Sequence, residues 1–145
     1  MDEKFALCTE QALRYLSLRE HNEKELRLKL KQKNYDENTI ESTLTFLKED
    51  GSLSEMRYAL SFVRSSNKRH PEGKSMLLQR LLAKGADKET SVKALDELYT
   101  EDYIRSLVSD AVSKLTRKGK TDNIKAELFR LGFRPSDIAL FYCNE

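Results

Sequence analysis

The sequence predicts an all-α fold: three tandem three-helix repeats forming an elongated, curved array. Three observations carry this. Two Pro and five Gly in 145 residues leave little of the punctuation that a sandwich of short strands needs. Leu, Ile, Val and Phe recur at helical spacing. And one phrase occurs three times, as "LKQKNYDENTI", "LLAKGADKETS" and "LFRLGFRPSDI", which sets Asn34, Gly85 and Gly132 in one column, 51 and 47 residues apart. Repetition at such a period is the mark of a helical array.

Each unit begins with an amphipathic helix. In the first unit Phe5, Cys8, Ala12, Tyr15 and Leu16 keep an i, i+3, i+4, i+7 stripe that ends near Glu20. Asn22 with Glu25 reads as a capping box for a second helix. That helix should stop at Asn34, because a helix commonly ends on a left-handed residue, which Gly adopts freely and Asn tolerates. Tyr35 can fold back onto it, and Asp36 caps a third helix. In the second unit Ser54 caps a helix carrying Met56, Ala59, Leu60 and Val63, with Leu53 placed to pack on Tyr58. Gly85 ends the next helix and Asp87 caps the last. In the third unit Thr100 is the cap, Tyr99 can pack on Ile104, and Leu107, Val108, Ala111, Val112 and Leu115 form the stripe. Gly132 then stops the middle helix, and Pro135 sits at a first helical position. The expected units are 1–53, 54–99 and 100–145. Neighbours should share packing, since each has few apolar residues, and truncation after Glu97 is expected to leave two units helical. The stretches "RSSNKRHPEGK" and "TRKGKTD" read as surface loops.

Charge is sorted along the chain. Residues 24–33, 64–84 and 114–134 balance at +4, +5 and +5, whereas 36–50 and 87–102 each balance at −4. The net +2 of the whole chain hides this alternation. Stacked units could align the basic segments into a stripe that follows a phosphate backbone, leaving acidic helices for a basic protein. The same alternation also arises when exposed helix faces complement their neighbours. Few aromatics interleave with the basic residues, so base stacking is not indicated. No unit shows a base-reading set for the major groove.

Motifs for chemistry are missing. There is no phosphate loop and no GxGxxG. Cys8 and Cys143 lack C-x-x-C spacing and read as free thiols. His21 and His70 read as surface-loop histidines. No apolar run is long enough to span a bilayer, and "MDEKFALC" has no signal core, so a cytoplasmic protein is expected.

The stretches "ALRYLSLREHNEKELRLKLKQKNYDENTI", "DGSLSEMRYALSFVRS", "LLQRLLAKGADKET" and "LFRLGFRPSDI" together resemble the RecX family, the bacterial regulators of the RecA recombinase. The resemblance covers nearly the whole chain and rests on the order and spacing of the pieces. Asn34 departs from the family's usual Gly, Glu55 from its common Asp, and Lys74 from the Pro that often follows Gly73. The resemblance implies a non-enzymatic modulator, with no cofactor and no metal. It would lie in the groove of the RecA–DNA filament, suppress ATPase and strand exchange, and so bear on recombination and repair. Expected partners are the RecA filament and the single- or double-stranded DNA in or beside it, with the protein itself monomeric. The residues expected to make contact are Arg57, Arg64, Lys68, Arg69 and Lys74 in the second unit, with Lys114, Arg117, Lys118, Lys120 and Lys125 in the third. A stand-alone nucleic-acid-binding module and a helical scaffold for protein interaction are the alternatives.

Overall fold

The structure, a computed structural model, describes residues 2–143. Met1, Asn144 and Glu145, which the outermost units were expected to include, lie outside the described residues. Among the described residues there are nine α-helices and no strand. They are α1 (Glu3–Leu18), α2 (Glu23–Gln32), α3 (Glu37–Glu49), α4 (Glu55–Arg69), α5 (Lys74–Ala83), α6 (Lys88–Leu98), α7 (Glu101–Arg117), α8 (Ile124–Arg130) and α9 (Pro135–Tyr142). Within each successive triple the outer two helices pack on one another and both hold the middle one.

The repeated phrase is one local structure made three times. Asn34, Gly85 and Gly132 have φ of 68°, 92° and 92°. Behind each, the next residue donates its N–H to a carbonyl five residues earlier: Tyr35 to Leu30, Ala86 to Leu81 and Phe133 to Leu128. The column residue donates three back, to Lys31, Leu82 and Phe129. This is the paired bonding of a Schellman stop, with an apolar residue folding back on the last turn. Asp36 and Asp87 then accept from the N–H of Thr39 and Thr90, so the following helix is capped two residues after the stop.

The apolar residues form two cores. Cys8, Ala12, Leu26, Leu30, Ile40, Leu44 and Leu47 make the first, and Leu53 closes it instead of packing on Tyr58. The second is shared by α4–α9: Val63, Leu77, Leu81 and Leu95 lie in one cluster with Leu107, Val108, Leu128 and Phe133. Shared packing therefore holds for the second and third triples only. A cut after Glu97 removes buried Tyr99 and Ile104 from that common core, so survival of a helical 1–97 fragment no longer follows.

Two seams join the triples, and they are the same seam. At the first, Asn22 Nδ2 donates to the carbonyl of Lys84 at 3.0 Å. At the second, the N–H of Gly73 donates to the carbonyl of Leu131 at 2.8 Å. In both, the N-cap of a middle helix meets the residue just before the glycine column of the next triple. Side chains reinforce each seam. Glu55 accepts the N–H of Glu23 at 2.7 Å with one oxygen and that of Asp87 at 2.8 Å with the other. Asn67 donates to Tyr99 Oη at 3.1 Å and Tyr103 Oη at 2.9 Å, and Tyr99 Oη donates to the carbonyl of Glu72 at 2.7 Å.

Two loop expectations fail. α4 continues through "RSSNKR" to Arg69, because nothing breaks the helix before Pro71. Asn67 and Glu72 are buried there, holding the second seam. His21 is not at the surface but 1% exposed. Its Nδ1 lies 3.0 Å from the carbonyl of Arg19 and its Nε2 lies 2.8 Å from Lys29 Nζ. A carbonyl can only accept and an ammonium can only donate, so the ring is neutral with its proton on Nδ1. Burial holds its pKa below the usual histidine value, and the charges of Arg19 and Lys29 add to the effect.

The consequence for stability has a definite sign. As pH falls below about 6.5 the unfolded chain takes up a proton that the folded ring refuses, so stability is lost. Between pH 7.5 and 5.5 the stability advantage of the native chain over His21→Gln is expected to shrink by about 1 kcal/mol in urea unfolding. An advantage that holds constant across that range would show that His21 accepts a proton without cost.

Candidate anion-binding groove

The face of α4 that looks across the first seam carries Tyr58, Ser61, Phe62, Ser65 and Arg69. These recur at i, i+3, i+4, i+7 and i+11, so they form one stripe. Opposite stand Arg19 and Glu20 from the turn between α1 and α2, Glu25 from the first turn of α2, and Lys84 from the end of α5. The walls enclose a groove of about 350 Å³. Beyond Phe62, Arg69 and Lys84 it opens into a second hollow of about 660 Å³, bounded by Ser66, His70, Glu72, Arg80 and Leu131. The groove thus crosses from the first triple to the third.

Its charges divide into paired and free. Arg80 makes a two-pronged pair with Glu72 at 2.7 and 2.6 Å. Hydrogen bonding to Glu72 raises the pKa of the guanidinium. Arg19 grips Glu25 at 2.9 and 3.1 Å. Burial alone would raise the Glu25 pKa, but the hydrogen bonds from Arg19 and from the Asn22 N–H outweigh it and leave it lowered. Glu20 is taken by Arg57 at 3.1 Å. Arg69 and Lys84 have no carboxylate partner among the described residues. Both sit at helix C-termini, where a cation is favoured. Two free cations, with the hydroxyls of Ser61 and Ser65 between them and the turn, can hold an anion of more than one phosphate or carboxylate. The aromatic wall of Tyr58 and Phe62, rings 6.0 Å apart, would pack against its apolar part.

Only Arg69 of the ten expected contact residues lines this groove. Arg57 is turned to Glu20 and to the carbonyls of Gly51 and Ser52, at 2.7 and 3.0 Å. Lys74 pairs with Asp96. Lys114 Nζ caps the end of α4 through the carbonyl of Arg69 at 2.7 Å. Lys125 lies over the ring of Tyr142 at 5.8 Å. Arg64 and Lys68 are exposed on the flank of α4, and Arg117, Lys118 and Lys120 are exposed at the end of α7 and in the turn after it. Arg19, Arg80 and Lys84 were not anticipated. The stripe along α4 was visible at helical spacing. The approach of Lys84 to the α1–α2 turn was not, because it depends on Asn22 bonding 62 residues away.

Residues 8–47, most of the first triple, match the model of the RecX first three-helix domain. The chain is similar to a Regulatory protein RecX of Clostridium perfringens, 28% identical over 133 residues, with 89% of this chain and 62% of that protein covered. A Regulatory protein RecX of Streptococcus pneumoniae is 29% identical over 135 residues, covering 90% of this chain and 52% of that protein. The chain is similar to RecX proteins over nearly its whole described length. A crystal structure of RecX from Lactobacillus salivarius has the same fold: TM-score 0.77, 23% identity, with 99% of this chain and 97% of that one aligned. A second RecX crystal structure aligns at TM-score 0.78 over 97% of this chain and 73% of its own. The chain spans between half and two thirds of the curated RecX relatives it matches. The RecX fold is thus the tandem helical repeat that the glycine column predicts.

Proposed function

We propose that the chain regulates the RecA recombinase by binding the RecA–DNA filament and slowing its ATPase and strand exchange. Similarity to regulatory RecX proteins supports the partner. The observation that carries the mode of action is the groove across the triples, with Arg69 and Lys84 free to meet anionic groups. A repeated filament presents such groups at intervals, and a repeated protein can meet several at once. The action is binding rather than chemistry. Three buried titratable groups are already engaged in structure: His21 with Lys29, Glu72 with Arg80, Tyr99 with Asn67. The protein would work in the cytoplasm. Among the described residues no helix is long and apolar enough to cross a membrane.

Co-sedimentation tests the partner. Filaments of RecA on single-stranded DNA are expected to carry the chain into the pellet at salt that releases it from the same DNA alone. Equal retention by bare DNA would instead mark a stand-alone nucleic-acid-binding module.

A further inference from the structure

The groove along α4 consists of two hollows, and three residues border both: Phe62, Arg69 and Lys84. The neck between the hollows therefore carries one aromatic ring and the two cations that have no carboxylate partner among the described residues. Phe62 packs against the second core yet stays partly open to the groove. The repeat does not require a ring there. The same column of the first triple, 51 residues earlier, holds Gln11. Arg69 follows Phe62 by two helical turns on the same face, and long side chains on a helix lean toward its N-terminus, so the guanidinium comes back toward the ring. Lys84 enters from the opposite wall, where the 3.0 Å bond from Asn22 to its carbonyl fixes the end of α5. Neighbours in sequence do not indicate base stacking. The seam supplies it by bringing Lys84 to a ring on another helix.

We propose that this neck takes one nucleotide of an unpaired nucleic-acid strand, with the base on the Phe62 ring and the flanking phosphates on Arg69 and Lys84. The inference rests on the reading above that the groove meets anionic groups, and it names the group. A ring set between two free cations matches the parts of a nucleotide. Stacking holds the flat base, and charge-assisted hydrogen bonds hold the phosphates on either side of it. Ser61 and Ser65 in one hollow and Ser66 in the other add hydroxyls for the sugar and phosphate oxygens. The hollows, of about 350 and 660 Å³, give the strand a path into the neck and out of it. A duplex does not match, because its base faces are covered by neighbouring pairs and a recessed ring cannot reach them. An acidic peptide would satisfy Arg69 and Lys84 but would leave the ring without a flat partner.

The test uses the full chain, without RecA, and a single strand of about ten thymidines interrupted by 2-aminopurine bases. Stacking on Phe62 is expected to quench the 2-aminopurine in a saturable way at low salt. Phe62→Leu is expected to weaken binding of the strand about tenfold, whereas Phe62→Tyr keeps the ring and should bind within about twofold of the native chain. The Leu variant should retain the native salt slope, since no phosphate contact is lost. Thermal melts check that both variants are folded. A duplex of the same length, followed by anisotropy, is expected to bind more weakly than the strand. No quenching by the native chain overturns the proposal whatever the variants do. So does duplex binding as tight as that of the strand, a Leu variant equal to the native chain, or a Tyr variant as weak as the Leu variant. Displacement of the strand by an oligoglutamate peptide at equal charge would assign the groove to acidic protein and overturn it too. None of these outcomes bears on the filament reading, which co-sedimentation with RecA decides separately.

Discussion

Gly73→Ala is expected to lower the stability of the chain by about 3 kcal/mol, more than alanine at Gly51 or Gly85, both of positive φ. Backbone conformation alone gives no warning, because Gly73 has an ordinary φ of −74°. The cause is the second seam. A Cβ on Gly73 would stand 2.0 Å from the carbonyl oxygen of Gly132 and 2.7 Å from the nitrogen of Phe133. Both are backbone atoms and cannot rotate aside. The two strands of chain must separate, which breaks the 2.8 Å bond from Gly73 N–H to Leu131 and opens the common core beside Phe133. Gly51 provides the control. Its φ is +84° and a Cβ there meets nothing within 4 Å, so alanine should cost about 1 kcal/mol of backbone strain alone. Gly85 should fall close to Gly51, since its nearest neighbour is the flexible Lys24 side chain at 3.2 Å. Urea unfolding of the three variants checks the order. Equal losses would mean that the triples are not held together by backbone contact.

Neutralising the free cations of the groove should have the largest effect on binding. Arg69→Gln with Lys84→Gln is expected to weaken association with single-stranded DNA filaments by more than about tenfold and to flatten the logarithmic salt slope by about 1.4. The fold should tolerate the change, because both side chains are exposed. The cost to each helix C-terminus is about 0.5 kcal/mol. The flank pair Arg64→Gln with Lys68→Gln is the comparison and should change affinity less. Of the five contact residues expected in the second unit, Arg69 alone lines the groove, and Lys74 is tied to Asp96. Equal losses from both double variants would point to diffuse attraction by the whole basic surface.

Features written within a few residues were legible in the sequence. The stops at Asn34, Gly85 and Gly132, the caps at Asn22, Asp36, Ser54, Asp87 and Thr100, and Pro135 at a first helical position are all found where spacing placed them. The stops and caps depend on hydrogen bonds over five residues or fewer. What remained hidden depends on meetings between side chains and helices that are not adjacent in sequence. The seam turned Asn67 and Glu72 inward from an expected loop. The turn between α1 and α2 buried His21 because Lys29, one helix later, could donate to it. Sequence density weights 64–84 and 114–134 equally, whereas the groove draws Arg69, Arg80 and Lys84 from the first, Arg19 from outside both, and no cation from the second.

The most direct test of the central claim is ATP hydrolysis by RecA on single-stranded DNA, titrated with the chain at constant salt. Filament binding through the groove predicts inhibition at amounts far below those that fill the DNA, with the Arg69→Gln, Lys84→Gln variant requiring several-fold more protein. Inhibition that begins only when the DNA is saturated, or that is the same for the variant, would contradict it.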